Sequence, residues 1–226
     1  MTQLFIALDG LAKNEDETLM IAEEFDDLDS NFGFKINLDY VLKAGLESAI
    51  LTAQSFHKQV FLDLKIFNGS RTMADIAAEL AELEVDYFNV HALADKEIVK
   101  VKKAIEGSKT KLLGVTVLTH FDDEYCQLYF KNSLKNTAAL LASRAIELGC
   151  DGVIIPGTVL DVISNFKTIK VVPGVRPHWY KDSRHSQAIT PKEAQKKGAD
   201  IIVCGSPIMN SFCPVETAKK ILEEIS

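Results

Sequence analysis

Asp63 and Lys65 are opposite charges separated by one residue, inside the apolar run Phe61-Leu62-Asp63-Leu64-Lys65-Ile66-Phe67. Alternation along a strand puts positions two apart on one face. A carboxylate and an ammonium then point the same way from a buried strand, where unpaired charge is costly. Two more charges stand at the ends of the two preceding apolar runs: Asp9 after Leu4–Leu8, and Lys35 within Phe32–Ile36. If these runs are neighbouring strands, two acids and two bases converge on one small volume. Alternating signs keep every charge paired and leave one ammonium able to act on a ligand. A structural ion pair that merely ends a strand would account for Asp63 and Lys65 alone. It does not account for four balanced charges on three consecutive strands.

Bringing these ends together requires a particular frame. Short runs rich in Val, Ile, Leu and Phe predict strands at Leu4–Leu8, Phe32–Ile36, Val60–Lys65, Tyr87–His91, Leu112–Leu118, Gly152–Ile155, Ile169–Val172 and Ile201–Cys204. They are apolar on both faces, as buried parallel strands are. Between them, helical periodicity covers Glu15–Phe25, Thr72–Leu83, Lys96–Ile105, Leu134–Leu148, Pro191–Lys197 and Pro214–Ile225. Thr190-Pro191 reads as a helix start, and Gly149 and Gly198 as helix stops. Eight strand–helix units without a low-complexity linker predict one α/β domain over residues 1–226, a (β/α)8 TIM barrel. An open doubly wound sheet fits less well, because Asp9-Gly10-Leu11-Ala12 is no dinucleotide fingerprint. In such a barrel the chemistry sits at the C-terminal ends of the strands. That rule selects Asp9, Lys35, Asp63, Lys65, His91, Thr119 and the segments Pro173–Ile189 and Gly205–Ile208.

Composition sets the remaining bounds. An apolar fraction of 47% supports a real core, and a net charge of −7 argues against a nucleic-acid footprint. No uncharged apolar stretch approaches bilayer length, and the N-terminus lacks a signal-peptide pattern, so a cytoplasmic protein without membrane contact is expected. Cys126, Cys150, Cys204 and Cys213 have no paired metal-ligand spacing.

The chain resembles the orotidine 5′-monophosphate decarboxylase family over essentially its whole length. The resemblance is carried by "FIALD", "FKINLDYVLKAG", "VFLDLKIFNGSRTM", "VDYFNVHA", "LLGVTVLT", "CDGVIIP", "VVPGVRP" and "ITPKEAQKKGADIIVCGSPI". The family's third-strand signature is D-x-K-x-x-D followed by I-P-x-T. Asp63, Lys65 and Thr72 match it, Asn68 replaces the second aspartate, and Gly69-Ser70 replaces Ile-Pro. Carried over, the resemblance makes Asp9 and Lys35 the ribose-contacting acid and lysine. It sets Asp63 against the scissile carboxylate and makes Lys65 the group that stabilises and protonates the carbon left behind. The positions of Asn68 and Thr72 reach into the partner subunit's site in the family, which implies a homodimer with a shared active site.

The resemblance also implies a nucleotide substrate, and a reaction without cofactor or metal. Related sugar-phosphate enzymes bind magnesium through an acid at the end of strand two, where this chain has Lys35. Thr119 falls near the pyrimidine edge, followed by His120, and Pro173 opens the seventh loop. At the phosphate, Gly205 is kept, but Ser206 stands where the family has arginine. His185 stands where a glutamine commonly closes over the phosphate. Arg176, Lys181 and Arg184 are the cations able to replace the missing arginine. With Asn68 and Ser206 both changed, two alternatives stay open. One is a diverged member acting on another phosphorylated substrate. The other is a barrel that binds a nucleotide or phosphosugar without turnover.

Overall fold

A computed structural model of the chain describes residues 2–26, 28, 31–180 and 188–226. Eight parallel strands close on themselves in sequence order: β1 (Gln3–Ala7), β2 (Phe32–Asn37), β3 (Gln59–Ile66), β4 (Tyr87–His91), β5 (Lys111–Val115), β6 (Gly152–Ile154), β7 (Ile169–Val172) and β8 (Ile201–Cys204). Closure is made by β1 against β8, with Gln3 opposite Ile201 and Ile6 opposite Cys204. Among the described residues, ten α-helices run between or after the strands: α1 (Glu15–Glu23), α2 (Leu38–Ala44), α3 (Leu46–Gln54), α4 (Ser70–Glu82), α5 (Ile98–Ala104), α6 (Asp123–Phe130), α7 (Leu134–Glu147), α8 (Pro191–Lys196), α9 (Ser206–Met209) and α10 (Pro214–Glu224).

Strand parity divides the core into two layers. One alternate set of side chains, Phe5, Ala7, Phe61, Leu113, Val115, Ile154, Val171, Ile201 and Val203, fills the barrel interior. The other set, including Leu4, Ile6, Phe34, Leu62, Phe88 and Ile202, packs against the helices. Burial on both faces is why the strands read as continuous apolar runs rather than alternating ones. The interior tolerates a large ring because a neighbouring position is empty. A Cβ on Gly33 would sit 2.5 Å from the Phe5 ring and 2.7 Å from the Gln59 carbonyl oxygen. Phe5 in turn meets Phe61 and Tyr87 edge to face, at 6.1 and 5.6 Å between centroids.

Element ends differ from the sequence expectation in a few places. Strand β5 stops at Val115 rather than at Leu118. Thr116 still bonds Ile154 O through its N–H and its hydroxyl, but Pro156 has no N–H to extend the ladder. The helix expected over 96–105 is a 3-10 turn at Ala92–Glu97 followed by the shorter α5. Helices α2, α3, α6 and α9 are not expected from the sequence. Thr190 and Glu193 form a reciprocal capping box at α8. Gly149 and Gly198 end their helices at φ +98° and +86°.

Candidate active site

Lys35 lies on β2 at the inner parity and is 7% exposed. Its ammonium stands 3.3 Å from Asp63 Oδ2 and 3.5 Å from Asp9 Oδ1. Lys65 Nζ lies 2.5 Å from the other oxygen of the same carboxylate, Asp63 Oδ1. Asp63 is therefore gripped from both sides, and the four charges form one chain, Asp9–Lys35–Asp63–Lys65, at the C-terminal mouth of the barrel. Burial, the largest influence on the Asp63 carboxyl, pushes its pKa up; Lys35, Lys65 and Asn89 together outweigh it and bring it down to about 2.

Strand β3 does not deliver Lys65 by simple alternation. The β3–β4 register breaks between Leu62 and Ile66, and Lys65 takes a left-handed backbone conformation at φ +47°. The bulge turns the lysine toward Asp63 at the end of the strand. Asn89 of β4 spans the break. It is fully buried, its Oδ1 accepts from the Lys65 backbone N–H at 2.6 Å, and its Nδ2 donates to Asp63 Oδ1 at 2.8 Å.

Asn37 closes the other end of the charge chain. Its Oδ1 accepts from Lys35 Nζ, while its Nδ2 donates to Asp9 Oδ1 at 2.8 Å. Sequence reasoning missed both asparagines. The signal available was parity: Asn37 is two residues after Lys35, and Asn89 is two before His91, each a polar residue in an otherwise apolar strand.

The charges border a cavity of about 180 Å³. Asp9, Lys35, Asp63 and Lys65 line it together with Thr119, His120, Pro173, Gly174, Arg176, Gly205 and Ser206, and an apolar floor of Ala7, Phe61, Val115, Ile154, Val171 and Val203. Gly205 is needed where it stands: a Cβ there would lie 2.7 Å from Asp9 Oδ2 and 3.1 Å from Ala7 Cβ. Arg176 is buried, its Nη1 donates to Val175 O at 3.1 Å, and its backbone N–H bonds Ile189 O at 3.0 Å.

Thus nine of the positions singled out from sequence border one cavity: Asp9, Lys35, Asp63, Lys65, Thr119, Pro173, Arg176, Gly205 and Ser206. Asn68 and Thr72 do not line it. Asn68 is exposed and caps its own loop by accepting from Gly69 N–H at 2.7 Å, and Thr72 sits half-buried in the first turn of α4. Lys181, Arg184 and His185 lie outside the described residues. Half-buried His91 accepts from the Leu93 N–H, and burial lowers its pKa. Among the described residues, no group of three His, Cys, Asp or Glu side chains could hold a metal ion, and no helix is long and apolar enough to cross a membrane.

Known proteins resemble this chain in sequence and in fold. The sequence model of the Orotidine 5'-phosphate decarboxylase / HUMPS family matches residues 2–221. The orotidine 5'-phosphate decarboxylase of Nitratiruptor sp. is 35% identical over 204 residues, covering 84% of this chain and 90% of that protein. The enzyme of the same name from Nautilia profundicola is 33% identical over 229 residues, covering 99% and 98%. Among solved structures, the crystal structure of orotidine 5'-phosphate decarboxylase from Lactobacillus acidophilus superposes with a TM-score of 0.82 at 27% identity, over 100% of both chains. Matched along nearly its whole length, in sequence and in barrel architecture, this chain belongs to the Orotidine 5'-phosphate decarboxylase / HUMPS family.

Proposed function

We propose that the chain decarboxylates orotidine 5′-monophosphate to uridine 5′-monophosphate and CO2, with no cofactor or metal, in pyrimidine nucleotide synthesis. One observation carries the reading: Lys65 Nζ is held 2.5 Å from an ionised, doubly gripped Asp63 at the edge of a largely apolar cavity. Loss of CO2 from C6 of the pyrimidine breaks the C6–carboxylate bond and leaves its electron pair on C6. No adjacent carbonyl delocalises that pair well. A fixed ammonium in a water-poor pocket stabilises the charge as it develops. Lys65 then gives one of its protons to C6, and the neutral amine recovers a proton from solvent. Asp63 pairs with the Lys65 ammonium and disfavours the substrate carboxylate beside it more than the departing CO2.

The remaining lining residues take supporting roles. Lys35 and Asp9 hold the ribose hydroxyls, and Thr119 and Pro173 border the pyrimidine. Gly205, Ser206 and the Arg176 guanidinium receive the phosphate, with Arg176 supplying the cation that Ser206 does not. His185 is proposed for the same end of the substrate. Lys35 supports a metal-free reaction, because an ammonium cannot ligate a cation. Asn68 and Thr72 serve the cavity of a second copy, in a cytoplasmic homodimer; exposed Phe67, next to Asn68 in the chain, is apolar surface suited to that contact.

The test is direct. Purified protein mixed with orotidine 5′-monophosphate consumes its ultraviolet absorbance, and Asn68→Asp turns over at the same rate or faster, since in the proposed homodimer it adds an anion at the second copy's reacting lysine. A folded protein that binds uridine 5′-monophosphate without turnover overturns the reading in favour of a binding protein.

Gly205→Ala separates binding from chemistry. The added methyl displaces the Asp9 carboxylate and crowds Ala7 Cβ, so some loss of stability accompanies the change. Asp9 loses its position against Lys35, and KM rises about tenfold, the equivalent of one lost hydrogen bond of about 1.4 kcal/mol. Steady-state kinetics beside a urea melt would check this; an unchanged KM would remove Asp9 from the ribose site.

A further inference from the structure

We infer that Asn89 is a positioning residue for the decarboxylation, fixing both the backbone and the carboxylate that aim Lys65; this rests on the decarboxylase reading above. Three observations converge on it. First, a fully buried carboxamide is costly unless its donor and acceptor are both used, and here both are. Second, the partners fix its orientation. The Lys65 backbone N–H can only donate and the ionised Asp63 carboxylate can only accept, so Oδ1 must face the first and Nδ2 the second. Third, the bulge removes Lys65 from the β3–β4 ladder. Its N–H would be left without a strand acceptor, and Asn89 Oδ1 supplies one.

The left-handed turn at Lys65 is thus held by a side chain from the next strand. The same side chain sets Asp63 Oδ1, the oxygen that Lys65 Nζ approaches. Asn89 does not line the cavity and touches no substrate. It acts through Lys65 and Asp63, so its loss should reduce turnover without reducing substrate binding.

The titratable groups around Asn89 are Asp63 and Lys65 from β3, with Lys35 of β2 beyond Asp63. Tyr87 and His91 lie two positions either way on its own strand, and β5 presents Leu113 opposite. An aspartate at 89 therefore has a distinct signature. Protonated, it is an isostere of asparagine, donating to Asp63 and accepting from Lys65 N–H. Ionised, it sets two carboxylates within hydrogen-bonding distance, which cannot both stay charged comfortably.

The experiment compares the wild type, Asn89→Leu and Asn89→Asp in the orotidine 5′-monophosphate assay across pH. Asn89→Leu keeps the packing volume and removes both bonds. Its kcat should fall about 10²-fold, the effect of misplacing a reacting group by about an ångström, with KM within about threefold of the wild type. Asn89→Asp should gain activity as pH falls, along a limb that the wild type lacks. Unchanged kcat in Asn89→Leu, or an Asn89→Asp profile parallel to the wild type, overturns the inference. If the wild type itself shows no turnover, the decarboxylase reading fails separately. The crystal structure of Asn89→Leu then decides: Lys65 leaving its left-handed conformation supports the positioning role, and Lys65 unmoved overturns it.

Discussion

Replacing Lys65 with alanine lowers kcat by roughly 10⁴-fold or more and leaves the protein folded. On the proposed mechanism the size follows from two losses at one atom: electrostatic stabilisation of the forming carbanion, worth about 10²–10³-fold, and proton donation to it, worth about 10²–10⁴-fold. The carbanion would instead form beside the Asp63 carboxylate with no ammonium between them. Stability hardly changes, because the Lys65 side chain is 42% exposed and pairs of that kind contribute little. The bond from its backbone N–H to Asn89 remains, since it does not involve the side chain. Lys65→Arg does not rescue: a guanidinium holds its proton too tightly to deliver it to carbon. Single-turnover kinetics with a thermal melt on the same sample measures both halves. A variant retaining more than about a hundredth of the wild-type kcat would mean that another group protonates C6.

Removing the charge of Asp63 affects stability as well as turnover. Its side chain is mostly buried between two ammonium groups, and Asp63→Ala leaves Lys35 buried with only Asp9 at 3.5 Å and Asn37 as partners. Breaking a buried pair from one side costs roughly 3 kcal/mol. The acid dependence has a definite sign. The folded-state pKa, about 2, is depressed below the ordinary carboxylate value of 3.8. The contribution is therefore fully present above about pH 4 and is lost as pH falls through about 2. The difference corresponds to roughly 2 kcal/mol. Urea midpoints measured from pH 5 to pH 2 should fall more steeply for the wild type than for Asp63→Asn, which has no charge there to lose. Parallel curves would mean that Asp63 is not held ionised by its neighbours.

Local chemistry made much of this protein legible from sequence alone. Hydrophobic periodicity determined eight strands and most of the long helices, because buried parallel strands and amphipathic helices each impose a repeat on the chain. Strand parity and the rule that barrel chemistry sits at strand C-termini brought out Asp9, Lys35, Asp63 and Lys65 before any contact was known. Where punctuation is strong, as at Thr190-Pro191, boundaries agree within a residue. Where it is weak they are missed: Leu38–Gln54 carries no helix expectation but forms two helices joined at Gly45, where φ is +87°.

What only the tertiary structure decided is how those charges are held. The bulge at Lys65 and the bracing by Asn89 and Asn37 depend on which strands are neighbours and where a ladder breaks. An asparagine in a strand carries no mark of its partners, since a carboxamide can donate or accept anywhere within reach. Period and parity are properties of one segment and survive in the sequence; the partners of a buried polar side chain are properties of closure, and appear only when distant strands meet.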